Sequence, residues 1–470
     1  MHFDYIIPTL YTNSDVDYYD DVARQLSKTG ATVAILAMTR EARARLEERK
    51  QPHVFFVYEG FDPNRDVSDA ELADLERRYA LGSINDLVFP EEMMPGAQPR
   101  AMLIRRAAHV FRFLEGLLRE HTASLFINNV GPEVIRRCLR KISDAGGPTS
   151  VVVDFAPIRG RTALTTDDVI WDDLPRELPP LAPSDRAAME RYVADVTGGM
   201  KSFAQPAKLG VGPKNFLNAA KLVRASVESR LRGENFDVSV GELIKIRAQR
   251  AARRVVNPRF YEMPVPGEKY LFFPLHLMDD SAITIRAPQF QKQEALLEYL
   301  AARALPAGYK LYVKPHPNGL DIYPVGMIAQ LAKIPGVRLV NPLVNSHELI
   351  RGAAAMVVIN STVGFESLFY GKSVVTLGRV FYRGYGLTTD VENLADVRDA
   401  VAQALRRPPD LERVYQFLSA CHRATWPAVP FLRSDENLVA LCDGIADKAR
   451  RLGVTVGTPP RRPPMPALSA

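Results

Sequence analysis

The sequence predicts two wound α/β domains in series, joined by a helical connector, and three observations carry that prediction. Short apolar runs alternate with helix-length amphipathic stretches over residues 1–174, and the same alternation returns over 269–405; this is the pattern of βαβ units on a parallel sheet. Between them, residues 175–268 open on Pro175, Pro179, Pro180 and Pro183 and continue in helix-like segments without β-branched runs. The chain has 470 residues, 47% of them hydrophobic and 24% charged. That suffices for two or three cores of roughly 150 residues each and excludes disorder as the dominant state.

In the first domain a strand at 5–8 leads to a helix at 17–30 that stops at Gly30, a buried strand at 32–38 and a charged helix at 39–50. A third strand is expected at 53–58. After a polar interval come a long amphipathic helix at 100–121, a strand at 124–128, a helix at 132–145 and a strand at 150–155. Apolar residues three to four apart mark the helices, and short apolar runs bounded by turn residues mark the strands. In the second domain strands are expected at 270–274, 309–314, 337–340, 356–359 and 373–377, with helices at 291–304, 326–333, 346–352 and 364–370 between them. Residues 406–457 read as C-terminal helices, and 458–470 as a Pro/Arg-rich tail that cannot form a packed core.

Composition narrows the function. Apolar runs such as 353–359 fall well short of the ~20 residues of a membrane-spanning helix. The N-terminal residues show no basic region, long apolar stretch and cleavage site of a signal peptide, so the chain is expected in the cytoplasm. Cys138, Cys421 and Cys442 form no CxxC pair and show no metal-ligand spacing, which supports neither a disulfide scaffold nor a zinc site. The net charge of +6 eases the approach of anionic partners without identifying them. Much of the local excess lies between 221 and 259 and lacks the interleaved aromatics that stack bases, so nucleic acid is not an expected partner. The charge-rich helix at 242–254 reads as a solvated face, with an anionic membrane surface as the alternative.

Neither domain carries a G-x-G-x-x-G fingerprint or a P-loop, which disfavours dinucleotide enzymes and P-loop ATPases. Ligands of wound sheets sit beyond the carboxyl ends of the strands, often at domain interfaces, and the motifs of this chain fall at those ends. Lys314-Pro315-His316-Pro317 follows an apolar strand, and its two prolines force an extended exit that displays a cation and an imidazole. The pair suits a phosphate leaving group, with His316 as donor or general acid; a turn-capping His316 is the alternative. Asn360-Ser361-Thr362-Val363-Gly364-Phe365-Glu366 follows the strand expected at 356–359. One hydroxyl there is explained as an N-cap. The cluster as a whole suits an anion at a helix N-terminus, with Gly364 allowing close approach and Glu366 one turn in, within reach of a ribose diol. His276, at the end of the strand opening the second domain, and Arg383 are further candidates for sugar and carboxylate contacts.

Pro274-Leu275-His276, Gln293, the run 305–317, Asn345-Ser346-His347-Glu348-Leu349-Ile350, the run 360–368 and Gly371-Lys372 together resemble the capsule polysaccharide biosynthesis proteins, a family that includes the Kdo transferases of bacterial capsule and lipopolysaccharide assembly. The resemblance is concentrated in 270–385. It implies a GT-B-like glycosyltransferase whose second domain binds the nucleotide, with a CMP-activated ulosonic acid, CMP-Kdo, as donor. Carried over, His316 contacts the CMP phosphate, Ser361 and Thr362 sit at the phosphate-binding helix and Glu366 meets the ribose. Leu277-Met278-Asp279-Asp280 stands where the family often has Gln-Pro-Glu, and Pro315 where a glutamate is frequent, which leaves the sugar open.

Retaining transfer in this family uses a carboxylate nucleophile, which the first domain must supply if transfer occurs in the cleft. Asp154 and Glu133 are the leading candidates, followed by Asp168, with Asp167 also at a loop end. Arg159 and Arg161 are candidates for a sugar carboxylate. With Lys314, His316 and the helix N-terminus stabilising the departing CMP, no metal or other cofactor is obligatory. The expected partners are a nucleotide sugar, a lipid-linked saccharide or polysaccharide acceptor and, through the basic connector, an anionic membrane. A UDP- or GDP-sugar donor on the same fold, and a non-catalytic assembly or export factor, are the competing readings.

Overall fold

The computed structural model describes residues 1–9, 13–199 and 240–455. Part of the connector and the 458–470 tail lie outside the described residues. The first sheet is built from β1 (His2–Pro8), β2 (Val33–Ala37), β3 (Val54–Phe56), β4 (Thr122–Asn128), β5 (Thr149–Phe155) and β6 (Thr162–Thr165). A late strand, β13 (Thr425–Trp426), completes the order β13-β6-β5-β4-β1-β2-β3. Strands β1 to β5 run parallel, while β6 and β13 are antiparallel additions. Both faces of β1 are covered, as a continuous apolar run in a parallel strand requires. Ile6 packs with Leu103 and Phe111 of the helix Arg100–Glu120. Tyr5 and Ile7 face the opposite core, shared with Tyr19 and Val22 of the helix Asn13–Ser27.

The second sheet contains β7 (Lys269–Pro274), β8 (Tyr309–Lys314), β9 (Val337–Leu339), β10 (Ala355–Val358), β11 (Val374–Thr376) and β12 (Thr389–Asp390). Its order is β12-β11-β10-β7-β8-β9, parallel throughout. The period of two separates its cores cleanly. Leu271, Phe273, Leu311, Val313 and Val357 face one side, and Tyr270, Phe272, Tyr312, Met356 and Val358 the other. Two Rossmann-like domains are thus present, each with its topological switch beside its first strand: between β1 and β4, and between β7 and β10.

The C-terminal residues do not form a unit of their own. The helix Asp435–Arg451 places Leu438, Leu441 and Ile445 in the core beside β1, and β13 extends the first sheet. Lys448, buried on that helix, donates to Asp172 at 2.6 Å and Asp173 at 2.7 Å. The expected helical connector is seen as Pro183–Thr197 and Val240–Val256. Arg253 and Arg254 of the latter bind the Ile322 carbonyl at 2.7 Å and the Asp321 carboxylate at 3.0 Å, so its last turn is docked on the second domain. The domains share a core in which Ala156, Ile158 and Trp171 join Phe365 and Phe417, with Trp171 stacked on Phe381 at 4.4 Å. Among the described residues no helix is long and apolar enough to cross a membrane.

Candidate active site

The loops that leave β7, β8 and β10 are fixed to one another by neutral hydrogen bonds. Pro274 and Pro315 break the ladders, and the backbone groups they release find partners in buried side chains. The fully buried Tyr323 hydroxyl donates to the Leu275 carbonyl at 3.2 Å and accepts from the His316 amide at 3.1 Å, so one phenol ties both histidine loops. Buried Gln293 brackets His276 from both sides, accepting from its amide at 2.9 Å and donating to its carbonyl at 3.0 Å. Asn257 of the connector holds the Tyr323 carbonyl at 3.0 Å. Tyr323 and Asn257 were not singled out by sequence reasoning, because nothing local distinguishes them from core or loop residues.

The expected donor-side residues fall into two groups. His276, Lys314, His316, Asn360, Ser361 and Thr362 all lie at the carboxyl ends of β7, β8 and β10, around the switch. His316 is exposed, whereas the Nε2 of His276 is buried with no hydrogen-bond partner among the described residues. Burial, and secondarily the charge of His316, push the His276 imidazole down to about 4 against the pull of Asp280, so it is neutral at pH 7. Lys314 is buried, its ammonium donates to Ser346 Oγ at 2.9 Å, and burial lowers it to about 8. Asn360 donates to the Ala282 carbonyl at 2.6 Å and leaves its own buried Oδ1 unpartnered among the described residues. Ser361 caps the helix Thr362–Phe369 by accepting from Val363 N at 3.2 Å, and Thr362 is exposed at its first turn.

Three of the expected assignments are displaced. Gly364 is small because a Cβ there would meet the Tyr382 hydroxyl at 2.4 Å, so its close approach is to Tyr382 and not to a ligand. Arg383 binds the Gly378 carbonyl at 3.1 Å, the Val391 carbonyl at 2.8 Å and Glu392 at 2.7 Å; its guanidinium staples its own loop. Arg161 is held by the Thr425 hydroxyl at 2.6 Å and fastens β6 to the C-terminal segment. Glu366 is half-buried on the helix face toward Tyr192 and Tyr370, both of which its charge pushes upward after burial itself. Tyr192 accepts from the amide of exposed Arg159 at 3.2 Å.

On the first domain, Asp154 ends β5 and meets the second domain directly. Its Oδ2 accepts from Arg286 at 2.5 Å and its Oδ1 from the Phe155 amide at 2.8 Å. Arg286 lies just beyond the short helix Ser281–Thr284 that follows the His276 loop, and its Nε also donates to the Asp168 carbonyl at 2.6 Å. The Asp168 carboxylate itself binds Arg137 at 2.8 Å. Asp167 accepts from the amides of Val169 and Ile170 at 2.7 and 2.8 Å and closes a turn. Glu133 is drawn away to Arg136 at 3.0 Å, under Gly131, at the end of β4. The helix it precedes is capped by Glu91, which accepts from Val134 N at 2.6 Å. Of the expected carboxylates, Asp154 is therefore the one whose side chain is joined to the loops around His276, and Arg286, which sequence reasoning missed, makes the join. Among the described residues no cluster of His, Cys, Asp and Glu has the makings of a metal site.

Comparisons with known proteins add to these observations. Protein FixF of Sinorhizobium fredii (strain NBRC 101917 / NGR234) is 28% identical over 235 residues, 49% of this chain and 55% of that protein. The capsule polysaccharide modification protein LipA of Neisseria meningitidis serogroup B is 28% identical over 134 residues, 28% of this chain and 18% of that protein. The chain thus spans about half the length of the first relative and a small part of the second. Among solved structures, Thermosulfurimonas dismutans KpsC, beta Kdo 2,4 transferase, aligns with 64% of this chain and 84% of its own at 14% identity and a TM-score of 0.37. Residues 242–420, which hold β7 to β12 and every donor-side loop, match the family model described as capsule polysaccharide biosynthesis protein.

Proposed function

We propose that the chain is a glycosyltransferase of surface polysaccharide assembly that moves Kdo from CMP-Kdo onto a lipid-linked or polysaccharide acceptor. The observation that carries the reading is the Arg286–Asp154 pair, which sets a first-domain carboxylate against the loops that display His276, His316, Lys314 and Asn360. An ulosonic acid bears its own carboxylate on the anomeric carbon, so a carboxylate nucleophile approaching it needs a cation at that point. Arg286 is such a cation, a planar fork able to serve two carboxylates.

In the first step Asp154 Oδ attacks the anomeric carbon, the bond from that carbon to the phosphate oxygen breaks, and CMP leaves with the electron pair. His316, the Lys314 ammonium and the helix N-terminus at Ser361 and Thr362 stabilise the phosphate charge. In the second step the acceptor hydroxyl oxygen displaces the Asp154 carboxylate from the sugar and its proton passes to water. Two displacements retain the anomeric configuration.

The test is transfer from CMP-Kdo by the full chain and by Asp154→Asn, with thermal unfolding in CMP, UDP and GDP. A ligand at ~100 times its dissociation constant adds about 2.7 kcal/mol. Stabilisation by CMP in both proteins is expected, with transfer reduced on the order of 10³-fold in the variant. Absence of a CMP shift, or transfer by Asp154→Asn at the parent rate, overturns the reading; a shift with UDP or GDP instead changes the donor.

A further inference from the structure

We propose that the first domain carries a separate oxyanion site, at the far end of its sheet, that takes a phosphate or sugar carboxylate of the acceptor. The inference rests on the reading above only in assigning the ligand to the acceptor. The loop after β3 folds back over the helix Arg100–Glu120 and encloses a cavity of about 120 Å³ lined by Gly60, Phe61, Arg65, Arg105, His109 and Arg112, with Asp62 and Val67 at its margin. At ~30 Å³ per water, that volume admits one phosphate or carboxylate group and not a nucleotide.

The cavity opens at the carboxyl edge of the first sheet, the edge that also bears Asp154 and on which wound sheets bind ligands. Its wall is rigid. His109 Nε2 donates to the Val57 carbonyl at 3.0 Å, and the imidazole stacks on Tyr58 at 6.0 Å and meets the edge of Phe61 at 5.3 Å. Gly60, at φ 67°, takes the left-handed conformation that turns the loop back.

Three guanidiniums line this space against one carboxylate, Asp62, while the carboxylates that pair with them, Glu71 and Asp66, do not line it. Arg65 and Arg112 share the single carboxylate of Glu71. Among the described residues Arg105 pairs with Asp66, at 3.4 Å, whose side chain is 95% exposed and screened by water. Asp62 is occupied in accepting from the Asn64 amide at 2.8 Å. Burial first, and then the charges of Arg112 and Arg65, hold the His109 imidazole below its usual range, as a positive local field requires. Guanidinium forks pair with phosphate and carboxylate in two parallel hydrogen bonds, and an oxyanion here would complete those that Glu71 divides.

The experiment is calorimetric titration of the full chain with inorganic phosphate and, separately, glucuronate at fixed ionic strength, repeated on Arg65→Gln and Arg105→Gln. Arg65 is exposed and Arg105 partly exposed, so the fold should tolerate either change. Saturable binding of at least one probe is expected, weakened about tenfold or more in each variant, with CMP binding unchanged. Phosphate alone points to a lipid phosphate as the natural ligand, and glucuronate to an acidic saccharide. No saturable binding of either probe, or binding that neither variant weakens, overturns the site. Phosphate binding that persists while CMP fails to bind removes the donor reading and leaves the site in place.

Discussion

The two wound domains share a topology and hold their functional loops by different forces. In the second domain the loops at the switch are fixed by neutral bonds from buried Tyr323, Gln293 and Asn360. In the first, the corresponding loops are held by ion pairs: Glu133 with Arg136, Asp168 with Arg137, Asp172 and Asp173 with Lys448. A buried neutral bond is unaffected by salt and pH, whereas an ion pair is lost when its carboxylate is protonated. The second domain therefore holds its loops independently of pH, and the first holds them only while its carboxylates are charged. Arg286 is where the two regimes meet, a second-domain cation that closes a first-domain pair.

If the donor loops depend on one buried phenol, removing its oxygen should break the comparison most. Tyr323→Phe leaves the Leu275 carbonyl and the His316 amide without their partner in a buried setting. Each orphaned group costs about 1–3 kcal/mol. The full chain should lose that stability in denaturant titrations, and its affinity for CMP should fall because both histidine loops are released. Unchanged stability would mean that the loops are held by packing alone.

Lys314 sharpens the contrast, since it is a cation that the second domain buries against a neutral hydroxyl. Its ammonium is lowered to about 8 in the folded chain from an ordinary 10.5, so folding opposes its protonation. That cost is present in full below about 8, falls as pH rises and is gone above 10.5, where both states are neutral. Lys314→Met should therefore raise stability at pH 7, on the order of 2 kcal/mol after the lost Ser346 bond is allowed for. The same variant should bind CMP more weakly. A residue retained for stability would show the opposite sign in the first measurement.

The fold was largely legible in the sequence because both sheets are covered on both faces, and doubly buried parallel strands read as uninterrupted apolar runs. What escaped has physical reasons. The helix Asp69–Arg78 buries only Leu75 within its span, so its sequence looks like a polar interval. Strand β13 pairs with β6 across some 260 residues, and no local pattern announces a pairing so distant. In the site, residue types at strand ends could be read, because the prolines and small hydroxyl residues there dictate how the chain leaves the sheet. The partners could not, since whether Arg286 meets Asp154 or Arg383 meets its own loop depends on tertiary placement. Gly364 shows the same ambiguity: a glycine signals close approach without saying to what.

The last contrast separates the two imidazoles of the second domain. His276 is held neutral by burial, with its proton affinity down to about 4 from 6.5, while His316 beside it is exposed. The unfolded chain takes up a proton near 6.5 that the folded chain refuses until about 4. Stability attributable to His276 is therefore intact above 6.5, is lost progressively as pH falls toward 4, and changes no further below. The Asp280 carboxylate, which favours the charged ring, and His316, which opposes it, are both contained in that displacement, so the net loss should be on the order of 3 kcal/mol. His276→Gln keeps a neutral polar group that does not titrate. Across 6.5 to 4 its stability should decline less steeply than that of the parent chain, with the two curves parallel above 7. Parallel curves through the whole range would place the ring of His276 in water, and the second domain would then owe less to buried neutral groups than its hydrogen bonds imply.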